Sequence, residues 1–286
     1  MLAEPVIVAI LVACVVLFVA AVGLRASPDD ALGLVRQRGV LARSLLAMFV
    51  VMPAAAAFVA RTFDLLPAVE IALVSLSLSP VPPLLPGRML KAGSERSYAV
   101  GLLVAAAAVA IFYVPAAVFL LARVFQLSVS ISPVNVAIPV ASTVLAPLLA
   151  GMAIRRLVPG FADRAAQPLA AAAGAILGIG LVAVLVATWP TITLLLRNGT
   201  LVAFVAFSVA GLAVGHLLGG PAPGNRSALA LSTAARHPGV ALVIARANFP
   251  DQQMILPAIL LYLCVTALAT TVYLALRQRD RMAHTA

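Results

Sequence analysis

Residues 227–246 are apolar over a length sufficient to cross a bilayer, yet their middle holds Ser232, Thr233, Arg236, His237 and then Pro238-Gly239. No other stretch of this 286-residue chain restricts its fold as tightly. An arginine at the centre of a membrane helix costs roughly 2.5–3.5 kcal/mol on insertion scales. Pro238 removes a backbone donor and clashes with the carbonyl one turn earlier, and Gly239 adds looseness, so a break is predicted over residues 236–239. Irregular backbone at membrane depth survives only where protein or a water-filled cavity satisfies the freed groups. A polar, charged, broken span therefore reads as a site. The plainer reading is a proline-kinked helix whose arginine snorkels to an interface.

A second stretch answers the first. Residues 70–87 begin as an apolar helix with Ser75, Ser77 and Ser79, then meet Pro80, Pro82, Pro83 and Pro86. No helix continues through that run, since each proline also constrains the residue before it. Two interrupted spans in corresponding halves of a chain point to the midplane site of a secondary transporter.

With 64% hydrophobic residues, 10% charged and a mean hydropathy of +1.14, the chain is predicted to be an all-α polytopic membrane protein with no soluble domain. The +10 net charge does not indicate nucleic acid, because the basic residues are spread through short loops. Cys14 and Cys264 fall inside apolar runs and read as packed free thiols. The first apolar run is read as a retained span, being too long for a leader and lacking a basic n-region.

Hydropathy and turn signals predict nine transmembrane helices. The first covers about residues 4–24 and is followed by a loop carrying Ser27-Pro28-Asp29-Asp30, a helix-start signal. The second (40–59) is kinked at Pro53. The broken third (67–92) precedes a plain fourth (97–124). The fifth (132–158) carries Pro133, Pro139 and Pro147 with Asn135, Ser142 and Thr143. A sixth (165–189) ends at Trp189, a seventh covers 194–218, the broken eighth 227–246, and the ninth ends near residue 276. Charge supports this count. Loops after odd-numbered spans hold Arg25, Arg36, Arg38, Arg43, Arg88, Lys91, Arg96, Arg155, Arg156, Arg164, Arg226, Arg277, Arg279 and Arg281, whereas those after even-numbered spans hold only Arg61, Arg123 and Arg197. That bias puts the amino terminus outside and the carboxyl terminus in the cytoplasm. Spans three and eight then cross in opposite directions, as an inverted repeat requires. Pro53 precedes Pro80 by the same 27 positions as Gly211 precedes Pro238.

The chain resembles the bile acid:sodium symporter superfamily in several motifs taken in order: Val22-Gly-Leu-Arg-Ala-Ser-Pro-Asp-Asp30, Leu46-Ala-Met-Phe-Val-Val-Met-Pro53, Ser79-Pro80, and residues 227–250 with their closing Ala-Asn-Phe-Pro. The resemblance implies a panel domain (about residues 4–25 and 132–189) and a core domain (about 38–124 and 193–278). In the core two broken helices cross, and substrate moves in a cleft between the domains. Nine spans would mean that the optional first helix of the family is absent.

The chain departs from its sodium-coupled relatives at the crossing. They place Pro-Gly-Gly and a Thr/Ser/Asn cluster at the first break, where Pro80 is here followed by Val-Pro-Pro-Leu-Leu-Pro. They carry a glutamate near the position of Ser232 and a glutamine near that of Arg236. Sodium wants a shell of oxygens, a carboxylate above all. All nine acids here sit at span ends or in loops, so inherited sodium coupling is not expected, although carbonyls freed at the breaks remain possible ligands.

The reading is a secondary active transporter of a small organic anion in a bacterial inner membrane, with no cofactor, no nucleic-acid partner and no obligate protein partner. Ser79, Pro80, Pro82, Pro83, Asn135, Ser232, Thr233, Arg236, His237 and Pro238 are the candidate binding residues. Arg236 is expected to act as a fixed substitute cation, or else only to knit the crossing together; His237 is expected to titrate near neutral pH. The alternatives are a sodium-coupled symporter with carbonyl ligands and a non-transporting sensor or scaffold. An enzyme is not expected, because His216, His237 and His284 are scattered and no acid dyad appears.

Overall fold

Why the chain bends where it does follows from its prolines and glycines. The structure, a computed structural model, describes residues 3–125, 132–196 and 199–285. Helix α1 (Ala3–Gly23) is followed by α2 (Pro28–Arg36), which turns 81° away from it. The start of α2 is fixed by a capping box: the Asp30 amide donates to Ser27 Oγ at 3.1 Å and the Ser27 amide to Asp30 Oδ2 at 2.8 Å. What hydropathy left as a loop is thus a short amphipathic helix, with Ala31 and Leu34 turned inward. It lies against α7 (Arg96–Phe125), where a side chain on Gly101 would meet Leu34 Cβ at 2.7 Å.

Helices α3 (Arg38–Leu46) and α4 (Met52–Thr62) form one continuous span joined through a π-helical segment, Ala47–Val51. Helices α5 (Pro67–Leu78) and α6 (Leu85–Lys91) flank the first break. The same construction as in the second span recurs in α8 (Pro133–Val140) and α9 (Ala146–Leu157), joined by the π-helical Ala141–Leu145 just ahead of Pro147. Helix α10 (Pro159–Leu195) is longer than expected and includes Asp163 and Arg164. At 1.5 Å per residue it is about 55 Å long, more than a ~30 Å hydrocarbon core requires. Helix α11 (Thr200–Leu218) precedes α12 (Pro223–Ala234) and α13 (Pro238–Asn248), which flank the second break, and α14 (Ile255–Thr285) closes the chain.

Seven spans are long and apolar enough to cross a membrane, or eight with α1 and α2 taken as one bent span; α5 is a shorter apolar helix. No strand occurs among the described residues. The expected loop over residues 126–131, Arg197, and the side chains of Glu4, Asp280, Arg281 and His284 lie outside what is described.

Two large apolar cores, with two smaller clusters beside them, hold the helices. One joins α7 to α8 and α9 through Leu102, Ala106, Val114, Val140 and Leu148. The other gathers α5, α11, α13 and α14 around Leu73, Phe204, Phe207, Ala241 and Tyr262. Helix α11 lies directly on α12 along Gly211, Gly215 and Gly219, spaced four apart so that all three share one face. A Cβ on Gly215 would sit 2.5 Å from Ala230 Cα, and one on Gly219 would sit 2.4 Å from Arg226 Cα. Small residues at that spacing let membrane helices pack backbone to backbone. Gly211 therefore does not break α11 as Pro53 disturbs its own span; it is a packing glycine.

Candidate functional site: the crossing of two interrupted spans

The site begins with carbonyls that prolines leave without donors. In the second span Met52 donates its amide to Ala47 O, five residues back. Pro53 has no N–H to give, so Met48 O lacks its five-residue helical donor and Phe49 O its four-residue one, while the four-residue donor of Met48 O, the Met52 amide, is already used by Ala47 O. Each finds another. Tyr113, from α7, donates its hydroxyl to Phe49 O. Arg236 donates from Nη2 to Met48 O at 3.2 Å. Pro238 does the same to Ala234 O, which accepts instead from the Tyr262 hydroxyl at 2.6 Å.

The two breaks are bonded to each other. The His237 amide lies 3.0 Å from Ser79 Oγ and 3.1 Å from Pro80 O. Arg236 Nη1 donates to Ser79 O at 3.3 Å, just past the carboxyl end of α5, where the helix dipole favours positive charge. Among the described residues Arg236 is the largest side chain that is fully buried, and its Nε has no partner there. It bridges the break at 79–84 to the π segment of the second span, and thus the first broken span to the second.

His237 caps α13: its Nδ1 accepts from the Val240 amide at 3.4 Å. That bond assigns the proton of the neutral ring to Nε2, which is buried and has no partner among the described residues. A second proton would go to Nδ1 and remove the cap.

Of the candidate residues, the structure brings Ser79, Pro80, Arg236, His237 and Pro238 together at the crossing, with Pro82 and Pro83 in the same break. Ser232 and Thr233 are buried in the last turn of α12, their hydroxyls bonded to Ala228 O (2.9 Å) and Leu229 O (2.6 Å) of their own helix. Asn135 is exposed in the first turn of α8 and is not part of the crossing cluster.

Sequence reasoning missed Tyr113 and Tyr262. The signal was present: tyrosine belongs at membrane interfaces, and one buried mid-span must find a partner for its hydroxyl. It also missed a cavity of about 120 Å³ between α5, α7 and α13, where α4 and α13 end and α5 begins. Glu70, Ser75 and Asn248 give this mostly apolar cavity its polar groups, and Leu78, beside the break, forms part of its wall.

At the crossing the carbonyls of Ser79, Pro80 and Met48 accept from Arg236 or His237. The profile of one protein family, described as the Sodium Bile acid symporter family, matches residues 12–195. The match takes in the first broken span and ends before α11, so Arg236 lies beyond it. No curated protein matches the chain.

Proposed function

The chain belongs to the sodium bile acid symporter family, whose members are transporters, and from that premise we propose that it carries a small organic anion with Arg236 fixed in place of a coupling cation. One observation carries this reading: a buried guanidinium extending from the second break already occupies a carbonyl of the first break, Ser79 O, and one of the adjacent second span, Met48 O. Half-helix carboxyl ends and unwound carbonyls are where such folds hold sodium. A bonded arginine there supplies the charge and keeps it. The helix halves that start at the breaks point their positive ends inward, which suits a carboxylate, and the His237 Nε2–H and the amide of exposed Gly239 at the start of α13 are the donors we assign to it.

In this reading the chain crosses an inner membrane nine times, amino terminus outside. A core (about 38–124 and 193–278) rocks against a panel (about 4–25 and 132–189), and the two interrupted spans are related as an inverted repeat. Supporting this, α5 and α12 are both 12 residues long, both open on a proline and both end just before the crossing.

The deciding experiment is uptake into proteoliposomes of a panel of labelled organic anions, in sodium or in choline. Equal uptake in both is expected. Uptake that falls to background in choline would restore sodium coupling through backbone carbonyls, and an absence of uptake for every anion would turn the reading toward a sensor.

A further inference from the structure

A groove of about 810 Å³ runs between α11 and α14 on the side of α11 not taken by the glycine contact with α12. Its α11 wall is Leu201, Val205, Val209 and Leu212, spaced as one helical face. Polar residues occur at one end alone: His216, Tyr273 and Arg277. From residue 201 to residue 216 the wall is about 22 Å long at 1.5 Å per residue. That exceeds the ~15 Å hydrocarbon depth of one leaflet, so an acyl chain fits whole.

The polar end is positive. His216 Nδ1 and the Tyr273 hydroxyl are 2.7 Å apart, and both Arg226 and Arg277 lie within electrostatic reach of the imidazole. Arg226 is exposed, and its Nε donates to Gly220 O at 2.6 Å, which holds it at this end of α11. Basic pockets between membrane helices at headgroup depth select anionic phospholipids. We propose that the α11–α14 groove is a binding site for an anionic phospholipid, its chain along Leu201–Leu212 of α11 and its phosphate at Arg277, Arg226 and His216. A second copy of the chain is a poorer occupant. A two-fold contact through this face would bring each positive cluster to the same depth as its twin.

The test is lipid retention by the intact protein in native mass spectrometry, comparing phosphatidylglycerol with phosphatidylcholine of identical chains. Phosphatidylglycerol should be retained preferentially. Arg277→Gln should cut that preference about fivefold, the equivalent of the ~1 kcal/mol contributed by one basic residue near a charged surface. Arg156→Gln, which removes one charge from the exposed end of α9, should leave it unchanged. Ala213→Trp, filling the groove from an exposed position, should lower retention of both lipids. Equal retention of the two lipids, an identical loss in Arg156→Gln, or a dimer that forms in place of lipid binding would each overturn the proposal. None of these outcomes bears on the sodium dependence of uptake.

Discussion

Tyr262 supplies the hydrogen bond that Pro238 withholds: its hydroxyl lies 2.6 Å from Ala234 O, the carbonyl four residues before the proline. Tyr113 stands in the same relation to Pro53 through Phe49 O. Broken spans are tolerated because side chains from neighbouring helices complete them.

Tyr262→Phe should therefore destabilise the protein by about 1–3 kcal/mol, the cost of a buried acceptor left without a donor. Tyr113→Phe should act likewise. Thermal unfolding in detergent reads both, and wild-type stability in Tyr262→Phe would show that water or a backbone shift satisfies Ala234.

Arg236→Met removes a charge together with the donors to Ser79 O and Met48 O, so it should reduce both stability and uptake. We expect uptake to drop at least tenfold, in line with 1.5–3 kcal/mol for each charged hydrogen bond lost. Arg236→Lys keeps the charge but cannot reach both carbonyls with a planar fork, and it should fall between. Normal uptake by Arg236→Met at normal expression would refute the assignment of Arg236 as the fixed cation.

Access should separate Ser75 from Ser232, although Ser232 is closer to its break. Ser75 lines the cavity, whereas Ser232 is fully buried against Met89 and its own helix. In a background lacking Cys14 and Cys264, Ser75→Cys and Asn248→Cys should react with a water-soluble thiol reagent and Ser232→Cys should not. Equal labelling would place water at α12 instead.

The glycine face of α11 makes a steric prediction. Gly215→Ala puts a methyl 2.5 Å from Ala230 Cα and should cost several kcal/mol or prevent folding, on the order of other overpacked cores. Gly178→Ala in α10, where a Cβ would meet nothing within 4 Å, should be neutral or slightly stabilising. Expression level and melting temperature of the pair would decide it.

Reporter fusions at the two ends should place the amino terminus outside and the carboxyl terminus in the cytoplasm, following the bias of Arg and Lys between loops. A cytoplasmic amino terminus would refute that orientation.

Both breaks were legible because of company as well as proline: Pro80 heads a run with Pro82, Pro83 and Pro86, and Pro238 follows a charged Arg236-His237 pair, whereas the single Pro115, Pro168 and Pro190 lie inside unbroken helices. Arg236 stood out because charge in an apolar run is expensive. Its partners were not legible. Met48 O becomes available only because Pro53 coincides with a π segment, and it lies 188 residues away in the chain. The helical nature of residues 28–36 was half written, in the Ser27 cap, and was obscured by the Arg-rich run around it. The glycine face of α11 was present at a spacing of four and went unread beside the louder prolines. Nothing in the sequence separates a hydroxyl that lines a cavity, Ser75, from hydroxyls that fold back on their own helix, Ser232 and Thr233. That choice is made by which helix packs alongside.

A charge tethered by its own side chain travels nowhere. A sodium ion that enters on one side and departs on the other delivers work to its co-passenger; the Arg236 guanidinium, returned to its starting point by every cycle, delivers none. With no other ion moving, a monovalent anion would settle at the distribution set by the membrane potential. At about 2.3 kcal/mol per charge for each 100 mV, that is roughly a fiftyfold excess on the positive side. For such a carrier, a cell with a negative interior is a source of anions and not a sink.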